Sequence, residues 1–329
     1  MPEIFGHLPD GRAVERVTLQ NGVLRLNLLT LGAIVQDMRL HGVDHPLVLG
    51  ADSLAPYLGS MQYFGAMVGR YANRIAQGVF ALDGQKYHLS RNALGRHCLH
   101  GGQQGSAARL WSIADLQADR AVFKLTLPDG EMGFPGTLNV LLCIALRASA
   151  LEFDIRATCD RDTVCNFSHH GFFILDDSGS LAHHRLQIDA NSYLPVDDDQ
   201  IPTGEIAPVA GSRLDFRAPR NLDGAALDHN FCLSNTRTAM RPVARLDSAL
   251  SGLGLQMETT EPGLQVYTAN HLPKPDARGL GGRHYGRHAG IALEAQVWPD
   301  APNQPSFPSP VLRPGDTYHQ KTRYVFSRP

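Results

Sequence analysis

Two dipeptides, Asn21-Gly22 and Asp83-Gly84, each interrupt a run in which apolar and polar residues alternate, from Val17 to Leu28 and from Val79 to Leu89. Alternation with period two is the pattern of a half-buried strand, and both dipeptides accept the positive φ of a tight turn between antiparallel strands. The middle of the chain repeats the pattern. Leu138, Val140, Leu142, Ile144 and Leu146 alternate with smaller or polar residues, and after a short turn Leu151, Phe153, Ile155 and Ala157 do the same. Further strands are expected over 185–190, 252–258, 263–269, 290–298 and 317–326. Helical periodicity is scarce, with only short turns expected around Asp52 to Leu58 and near Leu222 to Leu227. The chain therefore reads as all-β. With 32 glycines and 21 prolines punctuating many strands and no linker or low-complexity stretch, one large antiparallel β-sandwich spanning residues 1–329 as a single domain is expected.

Bulk properties remove several classes of function. The 329 residues are 43% hydrophobic and 19% charged, with a formal net charge of -2. A chain of this length buries roughly three quarters of its unfolded surface, so neither disulfides nor metals are needed for stability. No basic stripe is present, which argues against a nucleic-acid partner. No segment reaches the roughly 18 apolar residues of a membrane helix, and the first residues carry no basic region followed by an apolar stretch. The five cysteines are odd in number and show no Cys-x-x-Cys spacing, which fits a reducing cytoplasm with the thiols serving as small core residues. A monomer or a homodimer is equally compatible with this composition.

Glu294 is the first candidate for function. It lies in the strand-like run from Gly290 to Trp298, where burial should exclude a carboxylate. Alternation puts Ile291, Leu293, Ala295 and Val297 on one face and Ala292, Glu294, Gln296 and Trp298 on the other. An acid flanked by an amide and a large aromatic is suited to a polyhydroxylated ligand, whose edges it hydrogen-bonds and whose apolar face the ring covers. The plainer reading is a solvated sheet face carrying a Glu. The run leads into the turn-rich loop Pro299 to Pro305, the kind of segment that carries function on a sheet scaffold.

Four other clusters carry polar chemistry. Asn73 and Arg74, in the stretch Gly69 to Ile75, place an amide beside a guanidinium, two directional groups suited to neighbouring hydroxyls. His100 precedes Gly101-Gly102, where glycines let backbone approach a ligand closely. His169 and His170 interrupt an apolar run, so that one of the two should face inward. Asp228 opens the triplet Asp228-His229-Asn230, a composition that usually forms a turn. Each cluster alone also fits an ordinary surface or structural role. The supply of histidines (His97, His100, His169, His170, His183, His184) suggests a metal, yet no His-Glu-x-x-His or cysteine-paired spacing exists, and His97-x-x-His100 sits in a glycine-rich turn. No metal is expected. Nucleophile-elbow, phosphate-loop and dinucleotide signatures are also missing.

Taken in order along the chain, these segments resemble the aldose 1-epimerase (galactose mutarotase) family. The resemblance runs through Tyr63-Phe64-Gly65-Ala66, Gly69 to Ala76, Leu99-His100-Gly101-Gly102 and Pro128 to Gly136. It continues through Tyr193 to Asp197 with Ile201 to Glu205, Asp228 to Phe231 and Pro262 to Thr268, and ends on Glu294 to Asp300 with Asn303-Gln304-Pro305. It implies a large antiparallel β-sandwich of the galactose mutarotase type and interconversion of the α and β anomers of a free aldose such as galactose or glucose, without a cofactor. Position by position, it implies Glu294 as general base, His170 as general acid and His100 as an assisting group near the ring oxygen. It assigns Asn73, Arg74, Asp228 and Gln265 to sugar hydroxyls. All but Gln265 stand out from the residues themselves.

The implied chemistry explains the set. A proton leaves the anomeric hydroxyl while another reaches the ring oxygen, the C1–C2 bond rotates, and the two groups exchange roles as the ring closes. Glu294 would begin ionised and His170 protonated, with reference values of roughly 4.3 and 6.5. The chain departs from the family pattern at His169, where an Asn commonly stands, at Ser106-Ala107-Ala108 in place of a bulkier aromatic-containing stretch, and over Asn92 to Cys98. The last two lie beside His100 and bear on sugar preference more than on reaction type, whereas the first bears on which histidine faces the site, and the register of the motif favours His170. The alternatives are a non-catalytic carbohydrate-binding module, a glycoside hydrolase or lyase using Glu294 and Asp228 as paired carboxylates, and a phosphosugar epimerase, against which the lack of an added basic cluster argues.

Overall fold

A computed structural model describes residues 1–272 and 278–328. Its regular structure is strands joined by loops and a few 3-10 turns, with no α-helix among the described residues. No described helix is long and apolar enough to cross a membrane. Both hairpins marked by their turn dipeptides form: Ala13–Gln20 pairs antiparallel with Leu24–Leu29, and Val79–Leu82 with Gln85–His88. Leu138–Arg147 and Ala150–Cys159 pair over their full ten residues, Leu142 opposite Ile155. Their buried residues follow the alternation, since Leu138, Val140, Leu142 and Ile144 all lie in the core.

Two antiparallel sheets form the sandwich. A nine-stranded sheet runs in the order Ser112–Leu116, Arg120–Leu127, Leu138–Arg147, Ala150–Cys159, Tyr318–Ser327, Gly254–Thr259, Arg241–Ser248, His184–Ile188 and Arg220–Asn221. A six-stranded sheet runs in the order Phe172–Phe173, Ile291–Gln296, Gly263–Tyr267, Asp228–Cys232, Ser192–Tyr193 and Ala207–Pro208. The four strands from Glu3 to Leu40 make a further sheet. Tyr324 and Gln320 join the two large sheets by donating to the carbonyls of Leu293 (2.8 Å) and Ala295 (2.9 Å), and the rings of Phe173 and Tyr324 lie 4.7 Å apart.

Three expectations change. The strand carrying Glu294 ends at Gln296, so alternation does not extend to Trp298. The Trp298 indole donates to the Pro262 carbonyl (2.9 Å) and packs on Phe307 in a separate apolar cluster. Asp228-His229-Asn230 is not a turn but the start of strand Asp228–Cys232, paired with Gly263–Tyr267 along its whole length. Gly101, with φ of +82°, is needed for backbone packing rather than ligand approach. A β-carbon there would sit 2.1 Å from the Gly69 carbonyl oxygen.

Arg70 ties the segments around the site to one another. Its guanidinium is buried and donates to the carbonyls of Pro135 and Gly136 (2.7 Å each), Leu127 (3.0 Å) and Pro128 (3.3 Å), and to the Thr163 hydroxyl (3.2 Å). A planar fork meets several backbone acceptors at once, which a point charge does not. Arg70→Met should therefore lower unfolding free energy by about 3 kcal/mol or more, because it strands buried carbonyls, and Arg70→Lys should recover only part. Denaturant titration measures this, and a loss under about 1 kcal/mol for Arg70→Met would remove Arg70 from this role.

Candidate active site

The register of the six-stranded sheet assembles a polar floor. Gln265 stands directly opposite Glu294, and Asp228 opposite Tyr267. Directly opposed residues of antiparallel strands project to the same face. Behind this row Ile291, Leu293 and Ala295 pack into the core, so Glu294 points away from the nine-stranded sheet and into a cavity of about 550 Å³. Asn73, Arg74, His100, His170, Asp228, Gln265 and Glu294 all line that cavity. The volume lies within the usual range for small-molecule sites. Gln296, two residues on, is fully buried and does not line it, so the Glu294 face is narrower than alternation alone implies.

The adjacent histidines separate as strand geometry demands. Ser168–His170 pairs with Ala66–Val68. His169 turns into the sandwich, its ring stacked on Phe153 (centroids 4.5 Å apart) and edge-on to Tyr324. A β-carbon on Gly171 would strike that ring at 2.3 Å, so glycine there makes room for His169. His170 faces the cavity, with its Nε2 3.7 Å from Glu294 Oε1. Tyr63, Phe172 and Tyr267 supply aromatic walls. They lie in or beside the segments that carried the resemblance, but nothing in their spacing marks them as lining residues.

His100 and Asn73 fasten each other. The His100 amide donates to the Asn73 carbonyl (3.1 Å), and the Asn73 amide donates to His100 Nδ1 (3.1 Å). Both residues take left-handed backbone conformations, φ 51° and 66°. Such geometry is costly for non-glycine residues and concentrates at functional sites. Because Nδ1 accepts, the neutral ring carries its proton on Nε2 and presents a donor toward the cavity edge. On the opposite wall the Gln265 amide donates to Asp228 Oδ1 (2.6 Å), leaving the second carboxylate oxygen for a ligand.

Burial sets the proton affinities. Glu294 is raised well above the ordinary carboxylate range, first by burial and then by the Asp228 carboxylate, with Arg74 offsetting part. Burial also raises Asp228, against Arg74 and the Gln265 hydrogen bond. His170 is pushed down to about 4 by burial, and His100 falls well below its ordinary value through burial and the neighbouring His170 and Arg74 charges. Burial therefore disfavours the charged form of both Glu294 and His170. That runs against the starting state that the resemblance implies.

Among the described residues one group has the donor types of a metal site: His100, His170 and Glu294, with ligand atoms within 4.8 Å of one another. A tetrahedral zinc with bonds near 2.1 Å would draw its ligand atoms to about 3.4 Å. His100 is the obstacle. Nδ1 is occupied by the Asn73 amide and Nε2 bears the proton, so no lone pair is free without breaking the bond that fixes the ring. The geometry thus presents a hydrogen-bond donor rather than a third ligand.

These features define an antiparallel β-sandwich with a polar, sugar-sized cavity on the outer face of one sheet, and the comparisons with known proteins agree. A structure of an aldose epimerase homologue from C. elegans superposes with a TM-score of 0.89 at 29% identity, covering 96% of this chain and 99% of that one. Galactose 1-epimerase from Lactobacillus acidophilus gives 0.85 at 25% identity, covering 99% and 98%. The family model described as aldose 1-epimerase matches residues 15–325. Galactose mutarotase of Homo sapiens is 40% identical across 98% of this chain and 97% of its own length, and the aldose 1-epimerase of Escherichia coli is 34% identical across 97% and 96%. The chain belongs to the aldose 1-epimerase family and is an isomerase.

From the His100 geometry, a chelator at millimolar concentration should leave anomer exchange within twofold of the untreated rate, and added zinc should not raise it. Loss of activity on chelation, restored by metal, would overturn the donor assignment of His100.

Proposed function

We propose that this protein interconverts the α and β anomers of a free aldose, galactose or glucose among them, with Glu294 and His170 as the proton-transfer pair. The 3.7 Å approach of the two groups in the floor of a buried cavity carries this reading. Family membership and the galactose mutarotase relatives support it. The carbohydrate-binding module and the glycosidase are not favoured, since neither accounts for a histidine held against the carboxylate.

Ring opening proceeds from the charged form of the pair. At this separation an ion pair gains about 4 kcal/mol at an effective dielectric of 20, which offsets part of the desolvation that pushes both groups toward neutrality. The Glu294 carboxylate takes the anomeric hydroxyl proton and the His170 imidazolium protonates the ring oxygen. The C1–O5 bond breaks, leaving Glu294 as an acid, His170 neutral and C1 a carbonyl. That end state is the one burial favours, so relief of charge separation between two buried groups helps drive ring opening. Rotation about C1–C2 presents the other carbonyl face, and the proton movements reverse. His100 Nε2–H donates near the ring oxygen. Asn73, Arg74, Asp228 and Gln265 hold the remaining hydroxyls, which keeps C1 beside the pair while the chain is open. The five free cysteines suit a reducing, cytoplasmic setting.

Polarimetry of freshly dissolved α-D-galactose or α-D-glucose tests the assignment. Glu294→Gln and His170→Gln should each slow exchange by about 10²- to 10⁴-fold. A Glu294→Ala variant that relaxed the rotation as fast as the parent would make the base assignment wrong. The pH profile tests the proton count. The active pair holds one proton, so activity falls when acid adds a second to His170. Burial moves that limb below the ordinary histidine value toward about 4. The alkaline limb marks loss of the proton from Glu294, above the ordinary carboxylate value. kcat/KM should therefore not fall as pH drops from 7 through about 6, whereas an acid limb centred at or above the unperturbed histidine value of roughly 6.5 would contradict the burial argument.

A further inference from the structure

Gln200 lines the same cavity as Glu294 and Asp228, yet nothing so far gives it work. Its backbone is left-handed, with φ of 63°, a conformation that glutamine seldom adopts. Its side-chain Oε1 is out of reach of solvent and has no donor within the protein. Leaving an amide oxygen shielded and unpaired costs about 1–3 kcal/mol. Strain and an unpaired acceptor on a cavity wall together point to a partner that arrives with the ligand.

The backbone of Gln200 is held from two sides. Within its own turn, Asp197 Oδ1 accepts from the amides of Asp199 and Ile201 (2.9 Å each), and the Gln200 amide donates to the Asp197 carbonyl (3.0 Å). From outside, Asp199 is gripped by the segment that leads into His100. Arg96 pairs with Asp199 Oδ1, and His97 Nε2 lies 3.1 Å from Oδ2. His97 is buried, and its Nδ1 accepts from the Gln77 amide (3.1 Å), so its proton is on Nε2 and is donated to Asp199. Asn92 closes that segment on itself through paired bonds to Leu99, 2.9 Å and 2.8 Å. The stretch Asn92 to Cys98, one of the departures from the family pattern, thus serves as a clamp on the turn that carries Gln200.

We infer that Gln200 hydrogen-bonds a hydroxyl of the bound aldose other than the anomeric one and so helps set which aldose is preferred, with Asp199 and His97 as positioning residues acting through it. Because Oε1 is shielded, the contact is made by the amide hydrogens or by Oε1 once the half-buried side chain turns toward the cavity, and a sugar hydroxyl, which both donates and accepts, satisfies either. The inference rests on the proposed reaction for its substrate class but not for its contact.

The test measures KM and kcat by polarimetry, and Kd by calorimetry, for galactose, glucose, xylose and arabinose. Gln200→Ala should raise KM and Kd about five- to tenfold for the preferred sugar, the equivalent of one hydrogen bond, with kcat within twofold, and should narrow the spread among the four sugars. Asp199→Ala should reproduce this effect, Asp199→Asn should restore most of the affinity because its carbonyl still accepts from His97, and Asp199→Ala added to Gln200→Ala should change KM less than twofold further. If the parent protein catalyses exchange and Gln200→Ala leaves KM within twofold for all four sugars, the contact is wrong and the reaction stands. If neither protein catalyses but Gln200→Ala still weakens binding, the reaction is wrong and the contact stands. Absence of measurable binding of any of the four sugars to the parent protein overturns both.

Discussion

The pairing of Gly263–Tyr267 with Ile291–Gln296 in one particular register is the constraint on which the rest depends. A one-residue slip would send Glu294 into the apolar layer between the sheets and put Leu293 or Ala295 on the cavity floor. The register is pinned from behind, where Tyr324 and Gln320 of the opposite sheet donate to the carbonyls of Leu293 and Ala295. The apolar face of the strand and the placement of its one carboxylate are therefore a single specification. Once it is met, Gln265 follows directly across the strand pair and Asp228 one strand further, bound to Gln265.

Burying that carboxylate fixes the remaining electrostatics. Asp228 and Glu294 both face the cavity with raised proton affinity, and Arg74 is the cation that moderates both. Two of the histidines meet the same problem by favouring the neutral ring. His169 does so with no role for its charge at all, its value pushed down to about 3 by burial against Phe153. His100 does so with a fixed tautomer, because the Asn73 amide takes one nitrogen. Burial that would be a liability for a charged ligand set suits a reaction in which charge is cancelled as the ring opens.

Much of this was legible in the sequence wherever local pattern and tertiary structure agree. The hairpins at Asn21-Gly22 and Asp83-Gly84, the paired strands of 138–159, and the opposite faces of His169 and His170 follow from period two and turn chemistry. Arg120–Leu127 alternates as cleanly, with Ala121, Phe123, Leu125 and Leu127 buried, and was open to the same reading. The failures lie where tertiary contacts override local pattern. Trp298 leaves the Glu294 face because the strand ends two residues earlier. Asp228-His229-Asn230 has the composition of a turn but gains a strand partner distant in sequence. Gln265 was reached only through the resemblance, since an amide in an apolar strand carries no signal until its cross-strand neighbour is known. The clamp from 92–98 to 197–201 joins segments about a hundred residues apart, and no local signal connects Arg96 or His97 to Asp199.

His169 and His170 are consecutive in a strand of three residues, so a backbone shift that reseats the ring in the core also displaces the backbone that carries the ring in the site. The His169 ring is wedged among Phe153, Phe173 and Tyr324, none of which lines the cavity. The packing of those three core residues is therefore also part of what sets the position of the His170 backbone at the cavity, so the interior of the sandwich and the wall of the cavity are a single mechanical unit there.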